Sequence, residues 1–220
     1  MVEENLNLMY KEIEYLIEND KSFDIAQVLR HPFKVFKICG VGEIVERLIA
    51  KTATFVPSLE VVYNNVMDED AGNLYAQNIT DEEIYGRVAR MWASLIREWH
   101  AYYMILEEGY KYGLNSDVII RNDILDLVKG IDILLLNKAD EDKSLKLDIF
   151  QSTQRAKEFR ELKDAKKYKD YDIKGRRCQI QIGYDMEETT KTVNRWYLLR
   201  ESYAERIIKY FNKTLKDSNE

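Results

Sequence analysis

Two short apolar runs separated by a polar break constrain this chain most. Residues 131–137 are rich in Ile and Leu, are too short for a helix and end at Asn, so they predict a buried strand. Residues 145–153 alternate apolar and polar side chains, as a strand with one buried face does. Residues 138–144 between the two runs are mainly polar. The pattern therefore predicts a β-hairpin within a chain that is otherwise rich in helical periodicity.

Each predicted strand carries an acidic residue. Asp132 lies in the first strand and Asp148 in the second, so the hairpin would bring them close together. Two neighbouring carboxylates share a proton or hold a hard divalent cation. The pair is a candidate Mg²⁺ site, with Lys146 near an attacking water and Gln151 completing the ligand shell. The structural alternative is that Asp132 acts as a cap or pairs with a buried arginine, while Asp148 is merely exposed.

The segment after the hairpin differs in charge from the rest of the chain. The net charge is −6, but residues 154–177 hold ten basic and five acidic side chains, which leaves −11 for the remainder. A local basic face on an acidic protein can direct it toward phosphate groups. The alternative is a solvated helix whose charges pair along one face.

Apolar periodicity predicts helices over most of the remaining chain. They are expected at residues 2–20, 24–30, 43–51, 58–67, 80–108 and 116–128, and from about residue 185 onward. Thr80 and Glu83 form a capping box, and Gly109 is expected to end the helix that they open. A surface loop is predicted at residues 67–73, and a third strand at residues 177–182.

Length and composition set the fold class. A chain of 220 residues with 45% hydrophobic content can build one good-sized domain. Cys39 and Cys178 are far apart, and the sequence shows neither a signal peptide nor an apolar run of about 20 residues. We therefore expect a cytoplasmic protein without a membrane segment. The expected fold is α/β, a mainly helical domain around a small central mixed β-sheet.

The region around the two acidic residues resembles a known superfamily. Gly130-Ile131-Asp132 leads into an apolar strand, and the second strand runs through Thr153-Gln154-Arg155 into a basic segment. This arrangement is similar to the PD-(D/E)xK nucleases, and within them to type II restriction endonucleases. The resemblance implies a restriction-endonuclease-like core at residues 116–220, with residues 1–115 forming a helical part that shapes the cleft or the dimer. It also implies Mg²⁺-dependent cleavage of double-stranded DNA, commonly by a homodimer.

The resemblance also assigns roles to individual residues. Asp132 and Asp148 match the two motif acids, and Glu43 or Glu46 matches the acid often found on the first core helix. Phe150 stands where the motif expects lysine, so Lys146, Gln151 or Gln154 would take that role. The DNA-binding residues implied are Arg155, Arg160, Lys163, Lys166, Lys167, Arg176 and Arg177.

Three functions remain open at this point. The first is a sequence-specific, Mg²⁺-dependent deoxyribonuclease. The second is a nucleic-acid-binding protein without catalysis, and the third is a helical protein-interaction module that presents its Trp and Tyr side chains to a partner. The first requires the acidic pair, the second requires only the basic segment, and the third requires neither.

Overall fold

A computed structural model provides the fold. It describes residues 9–28, 30–31, 38, 41–52, 56–121, 131–150, 180–183 and 189–216. The chain has a mixed α/β fold and divides into two compact units. Unit 1 comprises Met1–His100 and Thr192–Trp196, and unit 2 comprises Ala101–Lys191 and Tyr197–Glu220. The expected α/β class is thus confirmed, while the division at residue 115 and the restriction-endonuclease-like core stay predictions.

Helices make up most of the described part of unit 1. They are α1 Met9–Asn19, α2 Ile25–Val28, α3 Val41–Thr52, α4 Leu59–Ala76 and the first part of α5 Asp81–Lys111. The predicted capping box opens α5: the Thr80 backbone N–H donates to Glu83 Oε2 at 3.0 Å, and the Glu83 N–H donates to Thr80 Oγ1 at 3.3 Å. Ser58 caps α4 through the Val61 N–H.

Two predicted helix boundaries in this part of the chain are wrong. The expected loop at residues 67–73 lies inside α4, because Val66 and Leu74 are both buried and anchor the helix on either side of it. Asp68 and Glu69 between them are exposed, and charged side chains are tolerated on the solvent face of a helix. Gly109 also lies inside its helix, because α5 continues to Lys111. The glycine with a positive φ, at 76°, is Gly113, which lies two residues beyond the helix end.

Unit 1 has an aromatic core. The Trp92 ring lies 5.0 Å from that of Phe23 and 5.8 Å from that of Trp196, and all three side chains are fully buried. The Trp92 indole N–H donates to the Pro57 carbonyl at 2.9 Å, and that of Trp196 donates to the Phe23 carbonyl at 2.7 Å. The large rings therefore bury apolar area without leaving their polar atoms unsatisfied.

Unit 2 contains a mixed four-stranded sheet with the order β1-β2-β3-β4. The strands are β1 Ile119–Ile120, β2 Ile133–Leu135, β3 Leu145–Phe150 and β4 Ile180–Gly183. The first three strands are antiparallel, and β4 is parallel to β3. The predicted hairpin is confirmed as β2 and β3, and the predicted third strand is confirmed in part as β4.

The helix predicted at residues 116–128 is wrong over its first residues. Ile119 and Ile120 form β1 instead, opposite Leu135 and Leu134. Both are β-branched residues, which suit a pleated surface, and Ile119 is fully buried. The remainder of that predicted helix, residues 122–128, lies outside the described residues.

The predicted C-terminal helix is wrong over its first part. A two-stranded hairpin, β5 Thr190–Val193 and β6 Trp196–Leu199, precedes helix α6 Glu201–Lys216. Asn194 and Arg195 form its turn with φ values of 42° and 68°, the left-handed conformation of a type I′ turn. The Asn194 side chain donates to the Ile17 carbonyl at 2.7 Å, which ties this turn to α1 within unit 1.

We expect Arg195→Gly to stabilise the protein. Arg195 is exposed and has a left-handed backbone that glycine adopts without a steric penalty. The free energy of unfolding should rise by about 0.5–1 kcal/mol, measured by chemical denaturation. Arg195→Ala is the matched control and should bring no gain, because alanine keeps the Cβ atom; an equal gain in both variants would contradict the explanation.

Within the helices that the structure describes, none offers the length of apolar sequence that a bilayer-spanning helix needs.

Candidate active site

The β2–β3 hairpin positions both candidate acidic residues. Its register places Ile133 opposite Leu147, Leu134 opposite Lys146 and Leu135 opposite Leu145. Leu145, Leu147 and Ile149 are buried, as the predicted alternation requires. A one-residue slip would turn these three side chains to the other face, so their burial specifies the register.

The turn between β2 and β3 fixes the same register. The buried Asn137 receives the N–H groups of Ala139 and Asp140 on its Oδ1 at 3.0 and 3.1 Å, and its own N–H donates to Ser144 Oγ at 2.9 Å. From the sequence, Asn137 was predicted only to end the first strand, and no role was predicted for Ser144. Asn side chains commonly bond to backbone N–H groups two residues on, and that preference is the signal that could have identified the turn.

Asp132 directly precedes β2 and is only 9% exposed. Its backbone N–H donates to the Leu147 carbonyl at 3.1 Å, and its Oδ2 accepts the N–H of Ile149. The carboxylate thus accepts a β3 backbone N–H that the carbonyl of a neighbouring strand would otherwise accept. Of the alternatives that the sequence left open for Asp132, this bond matches the cap, because the partner of its carboxylate is a backbone N–H.

Asp148 lies in the middle of β3 between the two residues that Asp132 binds. It is 7% exposed, so the alternative in which Asp148 is merely exposed is wrong. Gln181 of the parallel strand β4 is its register partner. Lys146 lies two residues earlier on β3 and is half-buried. Because alternate residues of a strand point to the same face, its side chain lies on the same face as that of Asp148. A buried carboxylate and an ammonium group therefore share one face of the sheet.

An ion pair links the end of β2 to the start of β1. Lys138, which follows β2, donates to the Asp117 carboxylate just before β1, and this bond lowers the pKa of Asp117 below its ordinary value. A backbone hydrogen bond joins the same two parts of the chain: the Leu136 N–H donates to the Val118 carbonyl at 2.7 Å. Both charged side chains are more than half exposed, so the ion pair adds little stability.

The part of α5 that belongs to unit 2 packs closely on β1. A Cβ atom on Gly109 would lie 2.3 Å from Ile119 Cδ1 and 3.7 Å from Ile208 Cδ1 of α6. The absence of a side chain at Gly109 therefore lets the helix approach the sheet. From the sequence, this glycine was predicted to end the helix. Its role is instead to let α5 pack closely on β1.

The structure accounts for only part of the predicted site. Asp132, Asp148 and Lys146 lie together on the sheet of unit 2, whereas Glu43 and Glu46 lie on α3 of unit 1, and their role at a metal stays a prediction. The remaining predicted residues lie outside the described residues: Gln151, Gln154, Arg155, Arg160, Lys163, Lys166, Lys167, Arg176 and Arg177.

The donor atoms of the two aspartates suit Mg²⁺. Among the residues that the structure describes, no group of three or more acidic, His or Cys side chains could hold a metal ion. Mg²⁺ does not require such a group, because one or two carboxylates, water and a substrate phosphate complete its coordination. Asp148 and Asp132 can supply these carboxylate oxygens.

Comparison with protein-family models, with curated protein sequences and with solved structures gave no match for this chain. Its function must therefore be argued from the site itself.

Proposed function

We propose that this chain is a Mg²⁺-dependent endonuclease of double-stranded DNA with a restriction-endonuclease-like core. One observation carries the proposal: Asp148 is a buried aspartate on a central strand, and a second buried aspartate, Asp132, donates a hydrogen bond to the residue before it and accepts one from the residue after it. Burying a carboxylate is costly, and a position that needs the charge for chemistry explains why it is kept.

The sheet supports the proposal as well. The superfamily that the sequence resembles has an acid-bearing strand followed by a second acid-bearing strand and then a helix. Here Asp132 leads into β2, Asp148 lies on the antiparallel β3, and β4 is parallel to β3. A parallel pair requires a connection of a dozen or more residues, and residues 151–179 separate β3 from β4 in the sequence. The basic residues expected to bind DNA belong to this connection, which begins soon after Asp148.

The proposed chemistry assigns a task to each described residue. When bound, a divalent cation would supply an activated water and would neutralise charge on the phosphate. Asp148 would contribute the carboxylate that holds the cation, and Asp132 would contribute to the same site. Lys146, on the same face as Asp148, donates a hydrogen bond to a phosphate oxygen or to the attacking water. The cytoplasmic location expected from the sequence suits a DNA substrate.

The proposal is tested by incubating the protein with plasmid and genomic DNA, with Mg²⁺ in one arm and EDTA in the other. We expect discrete fragments with Mg²⁺ and intact DNA with EDTA. A smear would indicate cleavage without sequence specificity, and intact DNA in both arms would contradict the nuclease. Binding in EDTA should weaken steeply with salt, because the basic segment would contact phosphates. Light scattering of the DNA complex would test the expected homodimer.

A second function, DNA binding without cleavage, is favoured by one specific observation. Phe150 stands where the motif expects lysine, which removes a group that the superfamily uses in catalysis. This alternative predicts salt-sensitive DNA binding that survives replacement of Asp132 and Asp148 by Asn. The burial of Trp92 in the core of unit 1 argues against the interaction-module alternative, which needs Trp and Tyr side chains to face a partner.

A further inference from the structure

Asp132 binds both peptide units that flank Asp148. The Leu147 carbonyl belongs to the peptide unit before Asp148, and the Ile149 N–H belongs to the one after it. Asp132 engages the first through its own backbone N–H at 3.1 Å and the second through Oδ2. One residue therefore contacts the backbone on both sides of Asp148.

These two bonds determine the backbone conformation of Asp148. Each peptide unit is rigid, so the only soft rotations at Asp148 are those about its φ and ψ angles. Either rotation would swing one of the two bonded peptide units away from Asp132. On its other side Asp148 is paired in register with Gln181 of β4. The fixed backbone sets the Cα–Cβ direction of Asp148 and therefore the face of the sheet on which its carboxylate lies.

We propose that Asp132 is a positioning residue for Asp148, acting through its oxygen acceptor rather than through its charge alone. This inference rests on the proposed nuclease function, in which Asp148 holds the cation. If Asp132 were only a cation ligand, its hydrogen bond with the Ile149 N–H would have no effect on cation binding. A positioning role requires that bond. Supporting groups of this kind are what hold a reactive side chain in a productive geometry.

Two substitutions at Asp132 separate the acceptor from the charge. Asp132→Asn removes the charge but keeps an oxygen that can accept the Ile149 N–H, whereas Asp132→Ala removes both. We expect amide hydrogen exchange at Ile149 to stay within about threefold of wild type in the Asn variant and to become about 10- to 100-fold faster in the Ala variant. The Leu136 amide, which donates to Val118 in the same sheet, is the internal reference and should not change.

The same variants are compared in Mn²⁺ binding, measured by calorimetry, with Asp148→Asn alongside. Positioning predicts that Asp132→Asn keeps measurable affinity, weakened about tenfold by the lost charge. It also predicts that Asp132→Ala loses affinity as fully as Asp148→Asn, because Asp148 is displaced. The Asn variant decides the matter even if the Ala variant does not fold. Loss of Ile149 protection in the Asn variant, or equal loss of Mn²⁺ binding in both Asp132 variants, would overturn the inference.

Failure of the nuclease proposal gives a different result. Wild-type protein that neither binds Mn²⁺ nor cuts DNA contradicts the proposed function, whereas the exchange at Ile149 still tests the bond from Asp132. If Ile149 exchanges at the same rate in all variants while the wild type cuts DNA, the nuclease stands and the positioning role is overturned.

Discussion

Asp148→Asn should abolish Mg²⁺-dependent DNA cleavage, with a loss of at least about a thousandfold in rate. The amide has nearly the shape of the carboxylate, so the packing of β3 between β2 and β4 is kept. What is lost is the negative charge that holds the cation in the proposed function. The rate of plasmid cleavage at saturating Mg²⁺ is the measurement, and circular dichroism shows whether the fold survives.

Asp142→Asn is the matched control for this substitution. Asp142 lies in the turn between the same two strands, and its side chain is exposed. The same chemical change at this position should leave cleavage at the wild-type rate. Cleavage by Asp148→Asn within about tenfold of wild type would exclude Asp148 as the residue that holds the cation.

Trp92→Ala should have the largest effect on stability. The side chain is fully buried between Phe23 and Trp196, and its indole N–H satisfies the Pro57 carbonyl. Truncation leaves a cavity and an unsatisfied acceptor, so the free energy of unfolding should fall by about 3–5 kcal/mol. Domains have only about 5–15 kcal/mol in total, so this variant should be close to unfolding.

Chemical denaturation monitored by circular dichroism measures this loss. Tyr15→Ala is the control, because that aromatic side chain lies on α1 and is 64% exposed. It should change the free energy of unfolding by no more than about 0.5 kcal/mol. A loss below about 1 kcal/mol for Trp92→Ala would mean that the ring is not part of a tightly packed core.

The elements predicted correctly from the sequence are those whose cause is local. The β2–β3 hairpin combines an apolar run, an alternating run and a polar turn, all within a short stretch of chain. The capping box at Thr80 and Glu83 is likewise a contact between near neighbours. Both predictions depend on side chains that interact with residues close in sequence, so pattern and turn chemistry are enough.

The elements missed are those that distant contacts decide. Ile119 and Ile120 fit a helical pattern locally, and only their pairing with Leu135 and Leu134 makes them a strand. The β5–β6 hairpin was missed because its turn is Asn194-Arg195 rather than the usual Asn-Gly, and because Val193, Trp196 and Leu199 also have helical spacing. Periodicity alone cannot separate these cases.

In the candidate site too, the features with a local cause could be predicted from the sequence, and those that depend on distant contacts could not. The presence of two acidic residues on neighbouring strands could be predicted, since alternation and the turn place them there. The bond from Asp132 to the Ile149 N–H could not, because an acidic residue that serves the backbone looks the same in sequence as one that serves a cation. The contact between Gly109 and Ile119 was equally hidden, since it depends on how α5 approaches the sheet.

The parallel pairing of β3 with β4 has a consequence for the order in which the molecule forms. The β2–β3 hairpin joins residues close in sequence, and such hairpins close in about 1–10 μs. Pairing Leu147 with Ile180 requires a much longer loop to close, with a correspondingly larger loss of chain entropy. The hydrogen bonds between Asp132 and the backbone beside Asp148 belong to this local hairpin, so they are expected to form before β3 pairs with β4.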